Sequence, residues 1–226
     1  MKYFNTSNPS AEKSVNFTGV QTTGLPSFAP ADAPPTSPNA MNDEFQGSAL
    51  DAKWTLRNSP GTPQFVYNDF IYIPATTSAW RGISQPLPSG NCTFEAKLDV
   101  EKDYTTGDTF AGFGFLDNNG TGTLMTWGSN GGGLFLCRCE NANTYNFNGN
   151  VLPDQQVGQN PFHYGKLVYN SGANTFDVYI SSNGFVWKRY KVGQAVAGAP
   201  TRLFAGMRNA ATGTIGVYFD YIRRTA

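Results

Sequence analysis

The chain has 226 residues, room for one sandwich-sized domain or for one domain with an appendage. Sixteen basic and sixteen acidic residues cancel, which leaves no basic face for nucleic acid, and no apolar run is long enough to span a bilayer. With 25 Gly, 14 Pro, 17 Phe and 11 Tyr and only 14% charged residues, the composition speaks against a helical protein and for an all-β one.

The first segment, residues 1–41, has neither a helical nor a two-residue period. Met1 to Thr6 lacks the apolar core of a secretory signal, which points to synthesis in a cytoplasm. Asn5 to Ala40 is rich in Ser, Thr, Pro, Asn and Ala and runs into Pro34, Pro35 and Pro38, so it cannot bury enough apolar surface to fold alone. Phe4, Val15, Phe17, Val20, Leu25 and Phe28 are spaced along it like pegs. Fully extended, such a segment reaches on the order of 130 Å. We read it as an N-terminal attachment arm that sets Phe4, Phe17, Leu25 and Phe28 into grooves of neighbouring subunits; a solvated tail is the alternative.

Asn42 to Trp54 forms the seam with a folded body, residues 42–226, and Phe45, Leu50 and Trp54 are its first apolar anchors. From there strands alternate with turns. Gln64 to Ile73 reads as a hairpin turning at Asn68-Asp69. Trp80 to Ile83 reads as a short strand. Thr93 to Glu101 is the cleanest one, with Phe94, Ala96, Leu98 and Val100 on one face and Glu95, Lys97 and Asp99 on the other. Phe110 to Leu116 carries Gly112 and Gly114 at alternate positions, the mark of close packing by a neighbour or of a shallow ligand floor. Thr123 to Trp127 and Leu134 to Glu140 follow, and Asn141 to Asn160 reads as a long polar excursion.

Phe162 to Tyr169, Thr175 to Ser181 and Phe185 to Val192 come next, the last two joined by the turn Ser182-Asn183-Gly184. A bulge near Lys188-Arg189 is needed there to turn Tyr190 and Val192 inward. Leu203 to Arg208 and Thr214 to Arg223 close the body. Short strands at this spacing give a two-sheet antiparallel sandwich or a barrel.

Cys92, Cys137 and Cys139 are odd in number and give no disulfide framework. Cys137 and Cys139 share one strand face as small buried thiols, and with His163 the single histidine there is no zinc set.

Three segments, in order, resemble the concanavalin A-like lectin/glucanase jelly-roll superfamily. They are Asp43-Glu44-Phe45 with Gly47 and Leu50-Asp51-Ala52-Lys53-Trp54, then Tyr179 to Trp187, and then Val217 to Arg223. The Pro-rich arm joined to this opening also resembles virion proteins of tailed bacteriophages. The resemblance implies an all-β, concanavalin A-like jelly-roll sandwich over 42–226, with glycan sites on the concave face or edge loops. It places Trp54 and Trp187 in the core. It also implies a structural calcium ion as one role for Asp43, Glu44 and Asp220, the other being turn caps or partners of Arg223.

The Glu-x-Asp-x-x-Glu run of the family's glucanases is absent; Glu95, Lys97 and Asp99 come nearest, on a solvated strand face. His163 has no nucleophile partner, and no Gly-x-Ser-x-Gly elbow occurs. The expectation is therefore a protein that is not an enzyme and requires no cofactor. It would be a virion structural protein, in the head decoration, tail or fibre, displayed on the particle surface and joined by its arm to other virion proteins and to its own copies. The alternative is an adhesin for cell-surface glycan, stacking sugars on Trp80, Tyr104, Trp127 and Tyr145, the aromatics beside turns and loops.

Overall fold

The computed structural model describes residues 34–35, 39–58, 63–66, 70–75, 79–100, 109–128, 134–139, 145–150, 163–209 and 215–225. Every described residue belongs to one compact unit, Pro34–Ala226. Phe4, Phe17, Leu25 and Phe28 of the arm lie outside the described residues.

The described residues are all β, and they form two antiparallel sheets with a shared core, the expected sandwich. Sheet I has seven strands in the order β12-β11-β10-β5-β14-β3-β2. They are β2 (Gln64–Val66), β3 (Phe70–Ala75), β5 (Cys92–Val100), β10 (His163–Asn170), β11 (Thr175–Ser181), β12 (Lys188–Ala195) and β14 (Ile215–Arg224). Sheet II also has seven, in the order β1-β4-β13-β6-β7-β8-β9. They are β1 (Thr55–Arg57), β4 (Arg81–Pro86), β6 (Thr109–Leu116), β7 (Gly122–Gly128), β8 (Leu134–Cys139), β9 (Tyr145–Asn150) and β13 (Arg202–Asn209).

The two-residue period of β5 sets the pattern of sheet I. Phe94, Ala96 and Leu98 are fully buried, and their partners on β10 (Leu167, Gly165, His163) and on β14 (Ile222, Phe219) share that inner face. Sheet II meets them with Ala111, Phe113, Phe115, Met125, Trp127, Leu203 and Ala205. Phe115 sits edge-on to Phe94 and Phe176, with ring centroids 6.5 and 5.6 Å away. Burying each such ring stabilises the fold by about 1.5–3 kcal/mol.

Three glycine placements are dictated by neighbours. On β6, a Cβ on Gly112 would lie 1.9 Å from the Met125 carbonyl oxygen, and one on Gly114 would lie 2.4 Å from that of Thr123. The alternation of glycine there serves close approach by β7. Gly165 on β10 faces the opposite sheet, where a Cβ would stand 2.6 Å from Trp127 Cη2 and 2.9 Å from Phe113 Cε1.

Three expectations need correction. Tyr145 to Asn150, read as part of a loop, is strand β9, paired with β8 from Cys139↔Tyr145 to Phe135↔Asn150. The β11–β12 ladder does break twice, around Val178, and Tyr190 packs on the core as expected. Val192, however, is 59% exposed, because the second irregularity, at Gly193 with φ of 61°, turns it outward. Trp187, expected in the core, is half-buried, with Lys166 Nζ 4.1 Å from its ring centroid. The turn Asn68-Asp69 lies outside the described residues.

Gly165→Ala should lower the stability by about 1–3 kcal/mol, since two packed rings must shift to admit one methyl group. The midpoint of urea unfolding, compared with that of Gly172→Ala at the exposed turn, reads this directly.

Candidate functional site

The opening segment is fastened to the last strand. Asp43 and Ile222 form an antiparallel bridge, with the Asp43 amide donating to the Ile222 carbonyl at 2.8 Å and the Ile222 amide donating back at 2.9 Å. The Asp43 carboxylate accepts from the Phe45 amide at 2.8 Å and from Trp54 Nε1 at 2.6 Å, and Lys53 Nζ stands 3.3 Å away. Arg223 grips Glu44 with two hydrogen bonds, of 2.8 and 2.6 Å. Burial works against the Arg223 charge, but the hydrogen bonds and charge of Glu44 outweigh it and hold the guanidinium above its ordinary value. Asp220 pairs with Lys97.

These contacts bear on the calcium expectation. A calcium site needs six to eight oxygens, and here the oxygens of Asp43 and Glu44 are taken by N–H donors while Asp220 sits on an ammonium group. Asp43, Glu44 and Asp220 do not converge as ligands, and among the described residues no three metal-ligating side chains do. Asp43 and Glu44 form a clasp between the opening segment and the last strand.

The aromatic candidates are corrected too. Trp80 is 3% and Trp127 1% exposed, so neither offers a ring face to a sugar. Trp80 packs edge-on to Phe204, while Trp127 stacks on His163 inside the core at 5.5 Å. Tyr104 lies outside the described residues, as does the side chain of Tyr145.

An opening of about 430 Å³ lies elsewhere, at the end of sheet I where β5, β10, β11 and β12 run side by side. Asn91, Thr93, Val168, Asn170, Thr175, Asp177, Val192 and Gly193 line it, with Cys92 and Tyr169 between them. Three of the polar groups are oriented by local structure. Asn170 Oδ1 accepts from the Gly172 and Ala173 amides of the β10–β11 turn, at 3.1 and 3.2 Å. Asn91 Oδ1 accepts from the Ser171 amide and hydroxyl, at 3.0 and 3.1 Å. Both asparagines thus spend their carbonyl oxygens on the turn, which fixes where their amide NH₂ groups point. Asp177 Oδ1 accepts from the Gly193 amide at 2.8 Å, and Arg189 stands 3.8 Å from its other oxygen.

The cleft therefore offers two amides, two threonine hydroxyls and one carboxylate beside two valines, and its size suits a small ligand. Fixed donors and acceptors next to small apolar patches match a sugar, which alternates hydroxyls with C–H faces. Sequence reasoning missed this site because it is made by strand ends joined through register. The Asn-Ser-Gly-Ala-Asn turn (170–174) was its one local sign.

The sequence matches no family model and no curated protein. In three dimensions the chain is similar to a GH43 protein of Bacillus licheniformis, with a TM-score of 0.62 and 13% identity over 82% of this chain and 39% of that one. It is similar to a xylan β-1,4-xylosidase of Bacillus halodurans, with a TM-score of 0.59 and 17% identity over 85% of this chain and 40% of that one. It also resembles the cellulose-induced protein Cip1, with a TM-score of 0.55 and 14% identity, over 82% of this chain and 96% of that one.

The chain thus spans about two fifths of the two Bacillus proteins, and at identities this low the likeness is one of fold alone. The likeness overturns the expectation of a non-enzymatic phage virion protein. It runs instead toward carbohydrate-active proteins, a xylosidase among them, so neither the virion role nor the exclusion of enzymatic activity stands.

Two measurements follow. Asp43→Ala, which strips the partners from the Trp54 indole N–H and the Phe45 amide, should cost about 2–3 kcal/mol in denaturant unfolding; an unchanged midpoint would remove Asp43 from the clasp. Burial pushes the Cys92 thiol up to about 11, with Arg224 opposing. The neutral thiol is favoured in the fold, so its contribution is complete below the unfolded thiol's value and is lost as pH rises through about 11. The melting temperature should accordingly fall less steeply above pH 9 in Cys92→Ala than in the parent chain.

Proposed function

We propose that the chain is a carbohydrate-active protein whose β-sandwich binds a neutral glycan in the cleft formed by β5, β10, β11 and β12. The observation that carries this reading is the cleft itself: two amides, two threonines and the carboxylate of Asp177 line an opening of about 430 Å³. The fold shared with a xylan β-1,4-xylosidase and with the cellulose-induced protein supports a plant-type polysaccharide as the source of that glycan.

Binding would proceed by exchange of water for fixed partners. The turn has already ordered Asn91 and Asn170, and Gly193 has ordered Asp177, so little side-chain freedom remains to be lost when a sugar docks. The Asp177 carboxylate accepts from sugar hydroxyls, the amide NH₂ groups donate to them, and Val168 and Val192 meet the C–H surface. Within β-sandwiches, we read the domain as a concanavalin A-like jelly roll, a reading supported by the opening Asp43-Glu44-Phe45 motif and by its pairing with the last strand.

Titration with xylotriose and cellotriose, followed by amide chemical shifts, tests the proposal. Shifts should concentrate on residues 91–93, 168–177 and 192–193, with Thr93→Val weakening the response severalfold. If neither sugar moves these amides at millimolar concentration, the cleft is not a glycan site.

A further inference from the structure

The outer face of sheet I carries a feature that the cleft alone does not use. Tyr72, Tyr218, Tyr164 and Tyr179 all point outward and are all half-buried. Their positions follow from register. Tyr72 lies opposite Tyr218, with ring centroids 4.7 Å apart, and Tyr218 lies opposite Asp99. One outward row further along, Lys97 lies opposite Tyr164, and one row beyond that Lys166 lies opposite Tyr179. The next row is Thr93, Val168 and Asp177, already in the cleft. The four tyrosines therefore step diagonally over the strands in a line that ends at the cleft. Strand spacing and residue rise put its length at roughly 23 Å from Tyr72 to Tyr179.

We propose that this line is a binding track, and that the ligand of the cleft is one end of an extended, neutral polysaccharide chain laid across it. The inference rests on the glycan reading of the cleft and adds the class of polymer and its path.

Charge argues for a neutral occupant. Three of the cations flanking the track have close carboxylate partners, Lys97 with Asp220, Lys166 with Glu95 at 2.8 Å and Arg223 with Glu44 at 2.6 Å, and Arg189 beside Tyr179 stands 3.8 Å from Asp177. A polyanion would have to break these pairs, whereas hydroxyls can hydrogen-bond to paired ions without displacing either one. The rings themselves are placed with care. A Cβ on Gly216 would fall 2.0 Å from Tyr72 Cε2, so the absence of a side chain is what lets the Tyr72 ring lie over β14 beside Tyr218. Stacking on pyranose faces is what such half-exposed rings can do without cost in charge or polarity.

Calorimetry with the full chain tests the track. Xylo- and cello-oligosaccharides of two to six units should show affinity that rises about tenfold or more with length. Tyr164→Ala should weaken the hexaose several-fold and leave the disaccharide unchanged. Tyr179→Leu, next to the sheet edge, provides the same reading should Tyr164→Ala unfold. Equal affinity for short and long chains, or an equal loss for both in the variants, would overturn the track while leaving the cleft. Tighter binding of polygalacturonate than of the neutral polymers would overturn the neutral assignment. No binding of any oligosaccharide would instead overturn the glycan reading on which the track rests.

Discussion

The fold depends on a carboxylate that ties the beginning of the domain to its end. Asp43 is bridged through its backbone to Ile222, and its side chain takes the Phe45 amide and the Trp54 indole N–H. This holds Phe45 at a positive φ of 49°, a conformation that a bulky side chain adopts only under constraint. The return is burial. Phe45 and Trp54 are 1% and 6% exposed and pack with ring centroids 6.0 Å apart. The bidentate Glu44–Arg223 pair closes the same seam beside it. Without the clasp, β14 would lose its tether to the opening segment at Ile222, and β14 is the strand that lies between β3 and β5 in the middle of sheet I.

The outer face of sheet I shows how a polar surface can be stiff. Away from β12, Lys166 and Arg223 are folded down over aromatic rings, on Trp187 and Tyr221 at 4.1 and 3.7 Å, and are matched to carboxylates. Lys97 and Arg223 are consequently almost as inaccessible as core residues, although both sit on the solvent side of the sheet. A surface built this way has few loose side chains to order when something docks, which is the physical advantage of a paired surface over a merely charged one. The cleft follows the same logic, with its asparagines anchored by the turn that frames it.

How much of this was legible in the sequence depends on range. The alternation in β5 and the apolar positions of β14 follow from neighbours two residues apart, so the strands and their buried faces could be read directly. Strand β9 could not be read so easily: Tyr145 and Phe147 alternate with asparagines, and that short pattern was outweighed by the polar composition around it. Trp80 and Trp127 were assigned to the surface because they lie next to turns, yet a residue at a strand end can point either way. The deciding contacts, with Phe204 and His163, lie far away in the chain. The Glu44–Arg223 pair spans 179 residues, and no local signal announces it. The cleft was invisible for the same reason, since it exists only where the register of four strands is known.

Strand β12 gives the molecule one more property. It is an outer strand of sheet I, most of its side chains are exposed, and its ladder with β11 is broken twice. Lys188, Arg189 and Lys191 stand along it. An unbroken, uncharged border would be a template on which another molecule could add its own strand, and another after that. The kinks break the regular spacing that an added strand would need, and the cations repel an identical border, so among the described residues this border is poorly suited to growth by edge pairing. That safeguard is written into the eight residues of β12.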